Sequence, residues 1–154
     1  MPTTSSLKIL LEYAQKQNDT SAKKLGQLNF QQQEAEKKLH LLLQYRQNYQ
    51  SHFQDSAIQG MNQIEWLNFL AFMNKLDAAI TEQRQAVTNA QQRKEAGGSE
   101  FRSYQRKLKS YDTLSQRQQK IELQQQTKHD QMEQDEYASN APSHNQFAPK
   151  KQQT

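Results

Sequence analysis

Apolar residues in the first third of the chain recur at alternating steps of three and four: Leu7, Leu11, Ala14, Leu25, Leu28, Ala35, Leu39, Leu42, Tyr49 and Phe53. Such spacing is a heptad seam, in which one stripe of a helix faces a partner helix. Polar residues interrupt the stripe at Asn18, Ser21, Gln32 and Arg46. These interruptions cost stability but pin register and discourage promiscuous pairing. Thr3, Thr4, Ser5 and Ser6 offer N-cap choices before Leu7. The pattern predicts a first helix over about 6–55, a rod of roughly 75 Å at the rise of an α-helix.

The helical pattern then stops between Asp55 and Met61 and restarts. Gly60 supplies the freedom to turn the chain at about 56–61, and Asn62 can cap a new helix with its side-chain oxygen. Glu65 can return a bond to the Asn62 amide, and Met61 can pack on Trp66 beside it. A second seam follows in Phe69, Met73, Leu76, Ile80, Val87, Ala90, Phe101, Tyr104, Leu108 and Tyr111, missing at Gln83, Lys94 and Gly97. No proline lies between Pro2 and Pro142 to break either arm. Gly97-Gly98 predicts a soft spot or kink, or else a true break with Ser99 capping the restart, since each glycine costs about 1 kcal/mol against alanine inside a helix.

The second helix is expected over about 62–137, closing a 1–138 domain. The tail 139–154 (SNAPSHNQFAPKKQQT) reads as disordered. The fold class is all-α, a long antiparallel two-helix coiled-coil hairpin. A tip centred between Gly60 and Met61 places Leu7 level with Leu114. Residues from about Ser115 to Tyr137 then lack an internal partner, and a lone helix is marginal in water.

Composition agrees with a thin seam rather than a thick core. The 154 residues are 33% apolar, and the mean hydropathy is -1.16. Four glycines and three prolines are too few for a loop-rich fold. The net charge of +4 comes from 20 basic and 16 acidic residues scattered together, which describes a solvated surface and not a phosphate-binding face. No nucleic-acid role is expected. The basic run Arg102 to Lys109 interleaves Tyr104, whose spacing fits the seam. The absence of cysteine, of an apolar run of about 18 residues and of a signal segment at Met1 predicts a cytoplasmic protein.

No catalytic arrangement is visible, and no enzyme activity, metal or cofactor is expected. His40, His52, His129 and His144 lack the spacing that sets two imidazoles around one metal. Asp130, Glu133, Asp135 and Glu136 cluster, but paired catalytic carboxylates need a pocket that a thin hairpin does not supply.

Near the tip the apolar residues exceed what one seam uses. Leu41, Leu42, Leu43, Tyr45 and Tyr49 on the first arm meet Trp66, Leu67, Leu70, Phe72, Leu76 and Ala79 on the second. A third helix folded back on a wider core would explain them, as would an exposed patch that docks a partner helix or groove.

These residues lie within stretches that resemble the flagellar type III export protein FliJ family over nearly the full chain. The stretches are LLEYAQKQNDTSAKKLGQL, EAEKKLHLLLQYRQNYQSHF, NQIEWLNFLAFMNKLDAAITEQR, KLKSYDTLSQRQ and MEQDEYA. The resemblance implies an antiparallel coiled coil similar to the stalk subunit of rotary ATP synthases. It implies a component that links the export ATPase (FliI) to the membrane export gate (FlhA) and escorts export chaperones. Association with the inner membrane would be peripheral, through the gate.

The implied gate-binding residues that match are Leu42, Tyr45, Tyr49, Phe72, Leu76 and Ala79, with Lys38 and Gln83 departing from the pattern at the edge. Tip-centred pairing sets Tyr49 level with Phe72, Tyr45 with Leu76, Leu42 with Ala79 and Lys38 with Gln83. On this reading Tyr45 and Leu76 form an outward surface, beside the seam residues Leu39 and Ile80. Two other readings share the architecture: the stalk protein of a virulence type III secretion system, and a general coiled-coil export chaperone.

Overall fold

The computed structural model describes residues 4–140, which form two long helices, α1 (Thr4–Gln59) and α2 (Gln63–Asn140). They pack antiparallel as an all-α helical hairpin, and no strand occurs among the described residues. The turn is three residues long, so α1 continues one turn beyond its expected end. Gly60 sits at a φ of +101°, which is left-handed backbone that favours glycine, and its amide donates to the Ala57 carbonyl at 3.2 Å. Asn62 Oδ1 then accepts from the Glu65 amide at 2.8 Å, which is the N-cap bond that starts α2. Of the expected tail 139–154, Ser139 and Asn140 belong to α2; the rest, with His144, lies outside the described residues.

The chain divides into two compact units. The larger, 12–108, contains the turn. Its core is the stripe Phe69, Met73, Leu76 and Ile80 of α2, against which Leu39, Leu42, Tyr49, Phe53 and Phe72 pack. The same face of α2 continues through buried Val87 and Ala90. No third helix covers this core among the described residues.

Two polar seam residues bond across the hairpin and so hold register. Gln83 Nε2 donates across the hairpin to the Ala35 carbonyl at 2.9 Å, and Arg46 Nε donates to Asp77 at 2.6 Å. The hydrogen bond from Arg46 to Asp77, and then the Asp77 charge, raise the guanidinium pKa further above its usual value. Buried Ser21 donates to the Asn18 carbonyl at 2.9 Å. Gln17 Oε1, Asn18 Oδ1 and Gln32 Oε1 are buried without a protein donor, so these layers stabilise the seam less than apolar ones would.

α2 runs through Gly97-Gly98 without a break, and both glycines are buried. A Cβ at Gly97 would lie 2.5 Å from Leu28 Cδ1, so the missing side chain is the space that Leu28 fills. Tip-centred pairing instead sets Gly97 level with Lys24; Lys24 reaches on to Glu100 at 3.2 Å. The glycine therefore selects a slightly shifted pairing because it admits the larger apolar side chain. Gly97→Leu is expected to wedge the arms apart and destabilise the protein by about 1–3 kcal/mol, the usual range for overpacking. Urea melts followed by circular dichroism would show it; a midpoint at or above the parent's would mean that Leu28 does not depend on the notch.

The smaller unit is built from 4–11 and 109–140. Leu7 is buried in it, and Thr4 Oγ1 donates to the Glu122 carboxylate. The start of α1 is thus level with Glu122, not with the region just before Ser115. The unpartnered stretch is shorter than the sequence suggests, beginning near Leu123, although every residue from Gln119 to Asn140 is exposed.

Candidate functional site

Six aromatic rings form a ladder near the turn, three from each helix. Tyr45, Tyr49 and Phe53 follow at steps of four in α1, and Trp66, Phe69 and Phe72 at steps of three in α2. At about 100° per residue, steps of four and three rotate in opposite senses around a helix, so a stripe of either kind slants across the seam. Phe69 stacks on Phe53 with ring centroids 3.4 Å apart and on Tyr49 at 5.5 Å. Tyr49 meets Phe72 at 4.5 Å, and Phe72 meets Tyr45 edge-on at 6.0 Å. At the other end Trp66 packs on Phe53 at 5.4 Å. The ladder is buried at Phe69 and surfaces at both ends, where Tyr45 is 51% and Trp66 47% exposed.

Of the expected gate-binding residues, Tyr45 is exposed while Leu42, Tyr49, Phe72 and Ala79 are half-buried. Leu76 is 7% exposed and belongs to the core. Its placement on an outward surface is therefore corrected: three-four spacing with Phe69, Met73 and Ile80 keeps it on the buried stripe of α2. Tyr45, expected level with Leu76, instead lies on Phe72. Gln83, expected level with Lys38, is turned inward to the Ala35 carbonyl, and Lys38 is exposed.

The other large apolar residues of α2 near the tip do not join this group. Taking the direction of Phe69, Met73, Leu76 and Ile80 as the core side of α2, the helical rotation places Phe72 and Ala79 on one flank. Trp66, Leu70 and Asp77 fall on the opposite flank, with Leu67 beyond them. The contacts agree, since Phe72 meets Tyr45 and Asp77 meets Arg46. What reads as one patch in sequence is thus two surfaces separated by a core.

The ladder itself was not singled out in the sequence. Its signal is the pair of aromatic runs at steps of four and three flanking the turn. His129, Asp130 and Glu133 each bring a ligand atom to within 4.8 Å of the others, but all three are exposed and His129 pairs with Glu133 at 3.8 Å. Exposed acidic groups on a solvated helix commonly lie this close without an ion. No described helix is long and apolar enough to cross a membrane.

Comparison with known proteins gives a family match over almost the whole chain. The family model described as Flagellar FliJ protein matches residues 3–147. The chain is 28% identical over 141 residues to the flagellar FliJ protein of Escherichia coli K12, covering 92% of this chain and 96% of that one. The flagellar FliJ protein of Salmonella typhi is 28% identical over the same length and coverage.

Proposed function

The chain belongs to the flagellar FliJ family, and from that premise we propose that it is a non-enzymatic component of the flagellar type III protein export apparatus. Its role is to link the export ATPase FliI to the membrane gate FlhA and to escort export chaperones, with peripheral attachment to the inner membrane through the gate. Flagellar relatives matched nearly end to end support this reading over the virulence stalk and over a general chaperone. The observation that carries the docking half is the flank of Tyr45, Tyr49 and Phe72 with Leu42 and Ala79. Aromatic rings already packed against one another lose little freedom on binding, and such rings dominate the energetics of interfaces. Leu76 supports the surface from beneath. Copurification with FliI and with FlhA tests the reading, and failure to bind either sinks it.

The ATPase half concerns the exposed end of α2. Helix from about Leu123 to Asn140 buries nothing on its own, so its amides should exchange quickly in the free protein. Addition of FliI is expected to slow that exchange, measured by hydrogen–deuterium exchange mass spectrometry. Equal protection with and without FliI would count against an ATPase contact at this end.

A further inference from the structure

Away from the turn the seam of the larger unit changes character. Near the turn the buried residues of α2 are large: Phe69, Met73, Leu76 and Ile80. Over 15–38 of α1 and 88–108 of α2 the buried residues are Ser21, Ala90, Gly97 and Gly98, all of them small. The larger seam side chains of this stretch, among them Leu25, Leu28, Phe101 and Tyr104, are half-buried. Closing the arms here therefore removes little apolar surface from water, and the hydrophobic contribution scales with that area.

The same stretch holds the acceptors that no protein donor meets. Gln17 Oε1, Asn18 Oδ1 and Gln32 Oε1 are closed off from solvent, and a buried acceptor left without a partner opposes the closed state. A polar residue that sets register bonds across the seam, as Gln83 does to the Ala35 carbonyl. Gln17 and Gln32 instead use their amide donors along α1, on Tyr13 and Glu36 at 3.2 and 3.0 Å, and Ser21 donates to Asn18 of the same helix. None of these bonds resists separation of the arms. The Lys24–Glu100 pair does cross, at 3.2 Å, but its side chains are 58% and 42% exposed, and exposed pairs contribute little.

We infer that the hairpin contains an opening segment, 17–32 against 90–104, whose arms part and reclose while the turn end stays paired. Parting hydrates the orphaned acceptors and exposes little large apolar surface, so it requires far less free energy than unfolding the whole. Leu28 over Gly97 lies between the Asn18 and Gln32 layers, so the arms close again in one register. A rod with such a segment yields there under load and keeps its aromatic ladder intact.

Native-state hydrogen–deuterium exchange of the full-length protein, read by mass spectrometry at low urea concentrations, measures the opening of each stretch. Peptides from 17–32 and 90–104 are expected to be protected about tenfold less, or weaker still, than those from 39–53 and 69–80. Their dependence on urea should be shallower, the mark of an opening that exposes less surface. Equal protection and equal urea dependence in the two regions overturn the proposal. Leu76→Val loosens the core near the turn and should speed exchange there several-fold, leaving 17–32 and 90–104 unchanged. Acceleration of both regions by the same factor would mean that the arms part only when the whole unfolds, and also overturns it.

Gln17→Met with Asn18→Leu and Gln32→Met removes the acceptors at nearly constant volume. Exchange in 17–32 and 90–104 should then slow about tenfold or more. Unchanged exchange in this variant would show that the acceptors do not drive the opening, which defeats the inference. Circular dichroism melts of each variant establish that it is folded.

Discussion

Leu76→Ala with Ile80→Ala is expected to collapse the core of the larger unit. Both side chains are buried on the same stripe of α2, with Met73 and Phe69 before them. Truncating a buried leucine or isoleucine to alanine typically costs about 2–5 kcal/mol, and a two-helix seam has no second layer to close over the cavity. Neighbouring truncations couple, so the pair should exceed either single change without being their plain sum. Thermal and urea melts followed by circular dichroism would show a large fall in midpoint. Because the rings that surround Tyr45 rest on this core, partner binding should fail in the same variant as a consequence of unfolding. A double variant that melts with the parent would mean that the stripe is not the core.

Tyr45→Ala is expected to do the reverse. The ring is half exposed, and its packing partners Tyr49 and Phe72 remain held by each other and by the core when it is removed. The cost to the free protein should be under about 1 kcal/mol, as for other substitutions outside the core. Association with FlhA should weaken by about 1–2 kcal/mol or more if Tyr45 anchors that contact, while FliI binding is unchanged. Copurification and calorimetric titration against each partner measure the two effects. A folded Tyr45→Ala protein that still binds FlhA with parental affinity would remove this flank from the gate contact.

Heptad spacing made the pairing of the arms legible, because steps of three and four leave few ways to bury Leu39, Met73 and Ile80 together. The turn was legible for a local reason: Gly60 and Asn62 satisfy conformational and hydrogen-bonding needs found at helix ends. The packing role of Gly97 was not legible, because helix propensity records the cost of a glycine to its own helix and nothing of the neighbour that fills its space. Leu76 misled for a related reason. An apolar surplus in sequence shows that more surface exists than one seam uses, but a small rotation decides which residue faces in. Leu76 and Phe72 differ in burial through that rotation alone. The division of the surplus into two flanks depends on the same angle and needs both helices in place to be read.

Leu28 seated over Gly97 also works as a stop, since it fixes the axial position of one arm against the other at a second place, far along the chain from the turn. Between two such fixed points the arms behave like the rails of a ladder with matched lengths. Seven residues added to or removed from one rail alone must bulge, unseat Leu28 or strain the Gly60 turn, whereas seven in each preserve both seatings. Length in this hairpin is therefore a paired quantity, and the distance from notch to turn can change only when both arms change together.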